Sequence, residues 1–347
     1  MKRRVVIVGC GQMATGWAKS LTGTSLVQRV EICALVDPNL DMARKLQADL
    51  NLTTATVSTD LAAVLAELSP DLVFDIAVPS ARLEIVRMAL RAGCDILTEK
   101  PMATSLAEAA TINALTRETG RVHAVTQNRR YKDGIRRVRA TIDSGVIGEI
   151  TALHADFFIG AHFGGFRDVM DHVLLLDMAI HTFDAARYIS GQEPEAVYCV
   201  ESNPKASWYA HGAAATAIFE MTNGVQFSYR GSWCAEGADT NWDADWRIIG
   251  TKGTLIWDGL DGYAIKVVSG TDGFSRALRD VPILPPADAS QTQDHTSVIR
   301  AFLDALDHGH APETSGEDNI KSLAMVFGAI ESSAQKQRIL INPEVQT

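Results

Sequence analysis

Val5-Val6-Ile7-Val8-Gly9-Cys10-Gly11-Gln12-Met13-Ala14 decides the fold class. Four consecutive apolar residues predict a strand covered on both faces, because a half-exposed strand would alternate. The run breaks at a G-x-G-x-x-A and continues over 12–21 with helical apolar spacing. Gly9 permits a tight turn, Gly11 lets the backbone approach a pyrophosphate, and Ala14 keeps the helix close to the sheet. Gln12 and Met13 then open a helix whose free N–H groups and positive dipole end suit an anion. Glycines also serve turns that bind nothing, so this stretch alone supports only a generic nucleotide site.

Outward from it, the first third of the chain repeats the same rhythm. Apolar runs at 32–36, 72–78, 95–98 and 122–126 predict buried strands. Helical spacing fills 40–50, 61–68, 81–92 and 106–119, and Gly93 and Gly120 stand where helix C-terminal glycines belong. Alternating strands and helices imply parallel strands with right-handed crossovers, and hence a Rossmann dinucleotide-binding domain over 1–125. Asp37 ends the second run, about twenty residues beyond the motif, where an acidic residue meets the ribose. Its carboxylate can accept both ribose hydroxyls and would repel a 2′-phosphate, which favours NAD over NADP. The plain alternative is that Asp37 only starts the turn or caps the helix after Pro38. Arg44, seven residues on, keeps NADP open as the minority cofactor.

Beyond this the rhythm changes. A helix is expected over 133–144, a long strand over 149–159 and a strongly apolar helix over 173–189. Strand-like runs follow at 197–200, 214–220, 226–229, 246–249 and 254–257. The turn pairs Asn223-Gly224, Lys252-Gly253 and Asp261-Gly262 favour antiparallel connections between them. A Pro-rich stretch at 282–286 precedes two last helices near 296–307 and 317–337. The expectation is an α/β protein whose second, α+β domain spans 126–347.

Composition excludes several classes. The chain has 347 residues, 46% hydrophobic and 21% charged, as expected of a globular protein of about two domains. A net charge of −10 argues against nucleic-acid and anionic-membrane partners. No apolar stretch is long enough to span a membrane. Met1-Lys2-Arg3-Arg4 resembles the start of a signal peptide, but the four apolar residues behind it are too few. Five cysteines, at 10, 33, 94, 199 and 234, form no Cys-x-x-Cys pair and read as reduced thiols of a cytoplasmic protein. No H-E-x-x-H or G-x-S-x-G occurs, so neither a metal site nor a serine hydrolase is expected. His308-Gly309-His310 reads as a solvated helix end.

Two further groupings carry chemistry. Glu99-Lys100-Pro101 closes the strand at 95–98, on the side where open α/β sheets bind ligands. A lysine beside a nicotinamide can donate a hydrogen bond to a developing alkoxide or pass a proton; a solvated surface lysine is the plain alternative. Asp177 and His181 stand four apart on an otherwise apolar helix. Two polar groups among leucines need a reason to be buried, and a carboxylate one turn away can orient a histidine base. The alternative is a satisfied core histidine. Asp184 reads as structural.

Taken in order, these residues resemble the Gfo/Idh/MocA oxidoreductases, named for glucose–fructose oxidoreductase and inositol dehydrogenase. The resemblance runs through the glycine turn, Asp37, Ala92-Gly93, Glu99-Lys100-Pro101 and Arg129-Arg130-Tyr131. It continues through 145–150, Asp177-x-x-x-His181 and Gly250-Thr251-Lys252-Gly253. It implies a second domain on an open, largely antiparallel sheet, one face of which mediates a homodimer or homotetramer. It gives Lys100, Asp177 and His181 as the catalytic trio, with Lys100 and His181 assigned jointly as acid/base. Gly9, Gly11, Gln12, Met13, Asp37, Pro79, Glu99 and Lys100 would contact the cofactor, and Arg130 and Tyr131 the substrate or nicotinamide.

Leu83 stands where the family often has histidine, and His172-Val173-Leu174 where it often has glycines. His172 therefore either adds a polar group to the substrate pocket or begins the helix. The stretch 161–165 is expected to be an active-site loop. The implied activity is hydride transfer between a secondary alcohol of a sugar, cyclitol or related polyol and the nicotinamide. An NAD-using glycosidase and a non-catalytic dinucleotide-binding regulator are the alternatives on this fold.

Overall fold

The computed structural model describes residues 2–342; Met1 and residues 343–347, the outer ends of the two expected domains, lie outside the described residues. β1 (Arg3–Val8) is sealed from solvent along Val5, Val6 and Ile7, as its unbroken apolar run requires. After it come α1 (Gln12–Thr22), β2 (Val30–Val36), α2 (Leu40–Asp49), β3 (Thr56–Ser58), α3 (Leu61–Leu68) and β4 (Leu72–Asp75). α4 (Arg82–Arg91), β5 (Asp95–Thr98), α5 (Leu106–Thr119) and β6 (His123–Val125) follow. Among the described residues these six strands form one parallel sheet, ordered β3-β2-β1-β4-β5-β6. The order reverses between β1 and β4, and ligands of such sheets bind at that point, beyond the carboxyl ends of the strands.

The chain continues through α6 (Asp133–Asp143), β7 (Ile150–Phe158), α7 (Ile180–Ser190), β8 (Pro194–Ser202), β9 (Ala214–Met221) and β10 (Gln226–Ser232). Then come β11 (Asp245–Gly250), β12 (Gly253–Trp257), β13 (Tyr263–Val268), β14 (Leu278–Asp280), α8 (His295–His308), α9 (Gly316–Gln335) and β15 (Ile339–Leu340). The nine strands described after β6 make a second sheet, ordered β14-β13-β12-β11-β7-β10-β9-β8-β15. Its pairings are antiparallel except β10 with β7. The glycine turns at 223–224, 251–253 and 258–262 each join antiparallel neighbours.

Two compact units emerge. The first holds residues 2–128 together with Gln293–Ile320; the second holds Arg129–Thr292 and 321–342. Contact with the first sheet's covering draws 293–320 away from the single boundary expected at 125/126. Phe302 of α8 packs on Phe74 of β4, ring centroids 6.3 Å apart, and Phe74 meets Trp17 of α1 at 5.4 Å. Arg29 pairs with Asp304 and Asp307 of the same helix.

In the second unit α7 covers one face of the sheet. Its Phe183 sits edge-on to Phe219 of β9 at 4.8 Å and to Tyr229 of β10 at 5.2 Å. Burying such a ring stabilises by about 1.5–3 kcal/mol. The other face is open, and β9 alternates buried with exposed positions along its length. The apolar helix expected over 173–189 is in two parts: a π-helical turn at Leu174–Ala179 and then α7. π-turns inside helices accompany functional sites more often than chance. No helix among the described residues is long and apolar enough to cross a membrane.

Candidate functional site

The first unit builds a cradle at the turn after β1. Gly9 has φ +86, and a Cβ there would lie 2.6 Å from the Ala77 nitrogen, so the turn touches the end of β4 backbone to backbone. Gly11 differs: a Cβ there would meet nothing within 4 Å. It is the N-cap of α1 and offers no side-chain hydrogen bond to the helix. The first amides of α1, including those of exposed Gln12 and Met13, therefore lack a capping side chain. Ala14 is fully buried, as close helix–sheet packing demands.

Asp37 lies against this turn. Its Oδ2 accepts from the Cys10 amide at 2.8 Å and its Oδ1 from the Asn39 amide at 2.8 Å. It thus holds the turn after β2 and also links β2 to the glycine turn. Asn39, not Asp37, caps α2. Arg44 is exposed and faces Asp41 at 3.6 Å. An open space above Gly11, uncapped helix amides and a carboxylate beside them are what a pyrophosphate and a ribose diol require, so these residues fit NAD.

Pro79 starts the short 3-10 turn Pro79–Ala81 that leads from β4 to α4. Leu83 follows on α4. Behind them Asp75 and Arg82 form a buried ion pair at 2.9 Å, and Arg82 also donates to the Ala77 carbonyl at 2.8 Å. Lys100 is half-buried at the end of β5. Glu99 beside it accepts from the Trp17 indole at 2.8 Å and, through its other oxygen, from the Lys100 amide at 3.1 Å.

The second unit carries the other candidates. Asp177 lies in the π-turn and His181, buried, in the first turn of α7. Arg167 reaches Asp177 with Nε at 2.7 Å and Nη2 at 3.4 Å. The same guanidinium lies over Phe163 and Phe166, 5.0 and 4.8 Å from their centroids, so the stretch after β7 holds it by stacking as well as by charge. A small cavity lined by Arg129, Met178, His181, Trp242 and Asp243 opens beside them. Arg129 is ion-paired with Asp243 across it.

Two of the expected substrate residues, Arg130 and Tyr131, are buried. Arg130 is buried and donates to both oxygens of Asp184, at 2.6 and 2.7 Å, while Ser322 donates to the same carboxylate at 2.7 Å. A buried guanidinium needs such a partner, and α7 supplies it. Tyr131 is buried with the Arg136 guanidinium 4.4 Å above its ring. His172 has φ +51; its carbonyl accepts from the Leu176 amide at 2.9 Å, and its ring meets Glu201 at 2.5 Å. It begins the helical segment. Arg167 and Trp17 were not singled out from sequence. The glycine pair Gly164-Gly165, just ahead of Arg167, is the only hint of the first, and nothing local marks the second.

Comparison with known proteins covers both units. The family profile described as "Oxidoreductase family, NAD-binding Rossmann fold" matches residues 3–127, and the "GFO/IDH/MocA C-terminal domain" matches 135–256. Inositol 2-dehydrogenase of Rhizobium meliloti is 25% identical over 98% of this chain and 100% of its own length. D-apiose dehydrogenase of Rhizobium rhizogenes is 28% identical over 81% of this chain and 82% of its own. The crystal structure of an oxidoreductase from Agrobacterium radiobacter, in complex with NAD+, L-tartaric acid and magnesium, superposes with a TM-score of 0.85. It is 22% identical, covering 98% of this chain and 99% of that one, and so shares the fold.

Proposed function

The chain belongs to the Gfo/Idh/MocA oxidoreductases, NAD-binding enzymes by family, and from that membership we propose that it oxidises a secondary alcohol of a sugar, cyclitol or related polyol. The observation that carries the reading is the open, uncapped turn at Gly11 with Asp37 against it, on the same sheet edge as Lys100. NAD held there supplies the hydride acceptor. Gly9, Gly11, Gln12 and Met13 bind its pyrophosphate, Asp37 its ribose, and Pro79 and Glu99 border the seat. Lys100 donates to the reacting oxygen, which stabilises developing alkoxide charge. His181, with Asp177, shares the proton transfer with Lys100. The pairing of Asp177 with Arg167 supports a carboxylate held in one orientation.

The names of the inositol and apiose dehydrogenases support the substrate class. The open sheet face, with Tyr198, Val200 and Ile218 exposed, supports a homo-oligomer. Five free thiols support a cytoplasmic setting.

The test is a polyol screen with NAD and NADP, followed by NADH absorbance, repeated on Lys100→Met. Turnover should fall by about 10²–10⁴ while NAD binding stays near wild type. Full activity in that variant would falsify the mechanism. Net NADH from a free sugar separates a dehydrogenase from redox-neutral glycoside cleavage.

A further inference from the structure

We propose that His295 is a positioning residue: its ring, clamped between Asp294 and Glu99, fixes the Glu99 carboxylate and with it the turn that carries Lys100. The inference rests on Lys100 acting at the reacting oxygen.

Glu99 is nearly buried at the end of β5, with 12% of its side chain exposed. Two neutral donors reach it, the Trp17 indole and the Lys100 amide. Hydrogen bonds alone compensate a buried carboxylate poorly; an opposite charge is needed as well. His295, the first residue of α8, brings Nε2 to 3.6 Å from Glu99 Oε1. Its Nδ1 lies 3.1 Å from Asp294 Oδ1, and that oxygen also accepts from the Asn128 side-chain Nδ2 at 2.6 Å.

Both ring nitrogens therefore face carboxylates. A neutral imidazole would turn a lone pair towards one of them, so the geometry calls for the doubly protonated ring. Asp294 occupies the N-cap of α8, where aspartate commonly accepts from the helix amides. Here it makes no such bond, and its carboxylate serves His295 and Asn128. The ring also lies edge-on to Trp17, centroids 6.3 Å apart, so indole and imidazole brace one another beside Glu99.

The groups facing His295 bear this out electrostatically. α1 presents Met13, Gly16, Trp17 and Ser20, none of which titrates. Glu99 and Asp294 are the charges that act on it. Burial pulls the imidazole down, but the Asp294 and Glu99 carboxylates facing its two nitrogens outweigh it and push the ring up to about 9. Burial alone would raise Glu99; His295, Trp17 and Lys100 hold it below the usual value. The raised histidine contributes fully below its unfolded value of about 6.5, and that contribution is lost as pH rises through about 9. The lowered carboxylate contributes above the ordinary glutamate value and loses its share as pH falls below it.

The test is NMR on the full chain with ring-labelled histidine, titrated in the alkaline range and assigned by the signal missing from His295→Gln. The ring should titrate near 9 and fall back towards about 6.5 in Glu99→Gln. A wild-type midpoint near 6.5, which needs no variant to measure, overturns the clamp. So does a midpoint that ignores Glu99→Gln. Lysines are then tagged by reductive methylation with 13C-formaldehyde, and Lys100 is assigned with Lys100→Met. Its signal should carry a second inflection at the His295 midpoint, absent from His295→Gln. A Lys100 signal blind to that midpoint overturns the positioning role even if the ring titrates as expected. An active Lys100→Met enzyme would instead remove the catalytic reading, while the titrations of His295 and Lys100 read on the wild-type chain still decide the clamp.

Discussion

Alanine placed at Gly9 and at Gly11, one at a time, should have opposite effects although the two sites are two residues apart. At Gly9 the backbone has φ +86, and an added Cβ would lie 2.6 Å from Ala77 N, 2.7 Å from the Ile76 carbonyl carbon and 2.8 Å from Ala77 Cα. All three are backbone atoms and cannot swing aside. A side chain at such a φ costs about 1–2 kcal/mol, and forcing a carbon into packed surroundings about 1–3 kcal/mol more. The total of about 2–5 kcal/mol is a large share of a typical domain stability, and at about 2–4 °C per kcal/mol it lowers Tm by roughly 4–20 °C.

At Gly11 φ is −73 and the new methyl touches nothing. Alanine is a poorer N-cap than glycine but stiffens the unfolded chain by about 0.4–1 kcal/mol, so the two nearly offset. Tm without ligand should stay within about 4 °C of wild type. The methyl nevertheless fills the space a pyrophosphate needs. Losing one charge-assisted hydrogen bond of about 1.5–3 kcal/mol weakens NAD roughly 10- to 100-fold. Thermal unfolding without NAD and calorimetric titration with it read the two effects separately. Wild-type NAD affinity in Gly11→Ala would refute the placement of the pyrophosphate. A wild-type Tm in Gly9→Ala would refute the backbone contact with β4.

Other outcomes follow from buried charges. Arg130→Ala removes the two-pronged partner of buried Asp184, leaving it Ser322 and the Arg187 guanidinium at 3.7 Å, and should destabilise the second unit by up to about 3–5 kcal/mol, measured as a shift in urea midpoint; an unchanged midpoint contradicts the buried pair. His123 is wholly buried, and burial, helped by the Arg82 charge, pushes its ring down to about 3. Below about 6.5 only the unfolded chain takes up this proton, so stability should fall by up to about 1.4 kcal/mol per pH unit until about 3, and His123→Gln should flatten that slope. Asp37→Asn keeps an acceptor for only one of the Cys10 and Asn39 amides and removes the charge, so the preference for NAD over NADP should shrink in Kd measurements. An undiminished preference would mean that the carboxylate does not discriminate.

The sequence by itself determined the parallel first sheet, the glycine turn, Asp37 at the end of β2 and the antiparallel character of the second sheet. Each rests on contacts within a few residues, or on an apolar period that reports burial directly. It also placed Lys100 at the end of β5 and Asp177 with His181 on one helical segment. Only the tertiary structure decided how these side chains are held. The π-turn at 174–179 looks in sequence like any apolar helix, because its composition is the same and only its winding differs. Arg130 could not be known as a core residue until α7 brought Asp184 to it. Likewise nothing local marks His295, 196 residues from Glu99, as a partner of the turn that carries Lys100. That contact exists because Phe302 needs the apolar surface of Phe74, and burying it draws the whole of α8, with His295 at its start, onto the first sheet's covering.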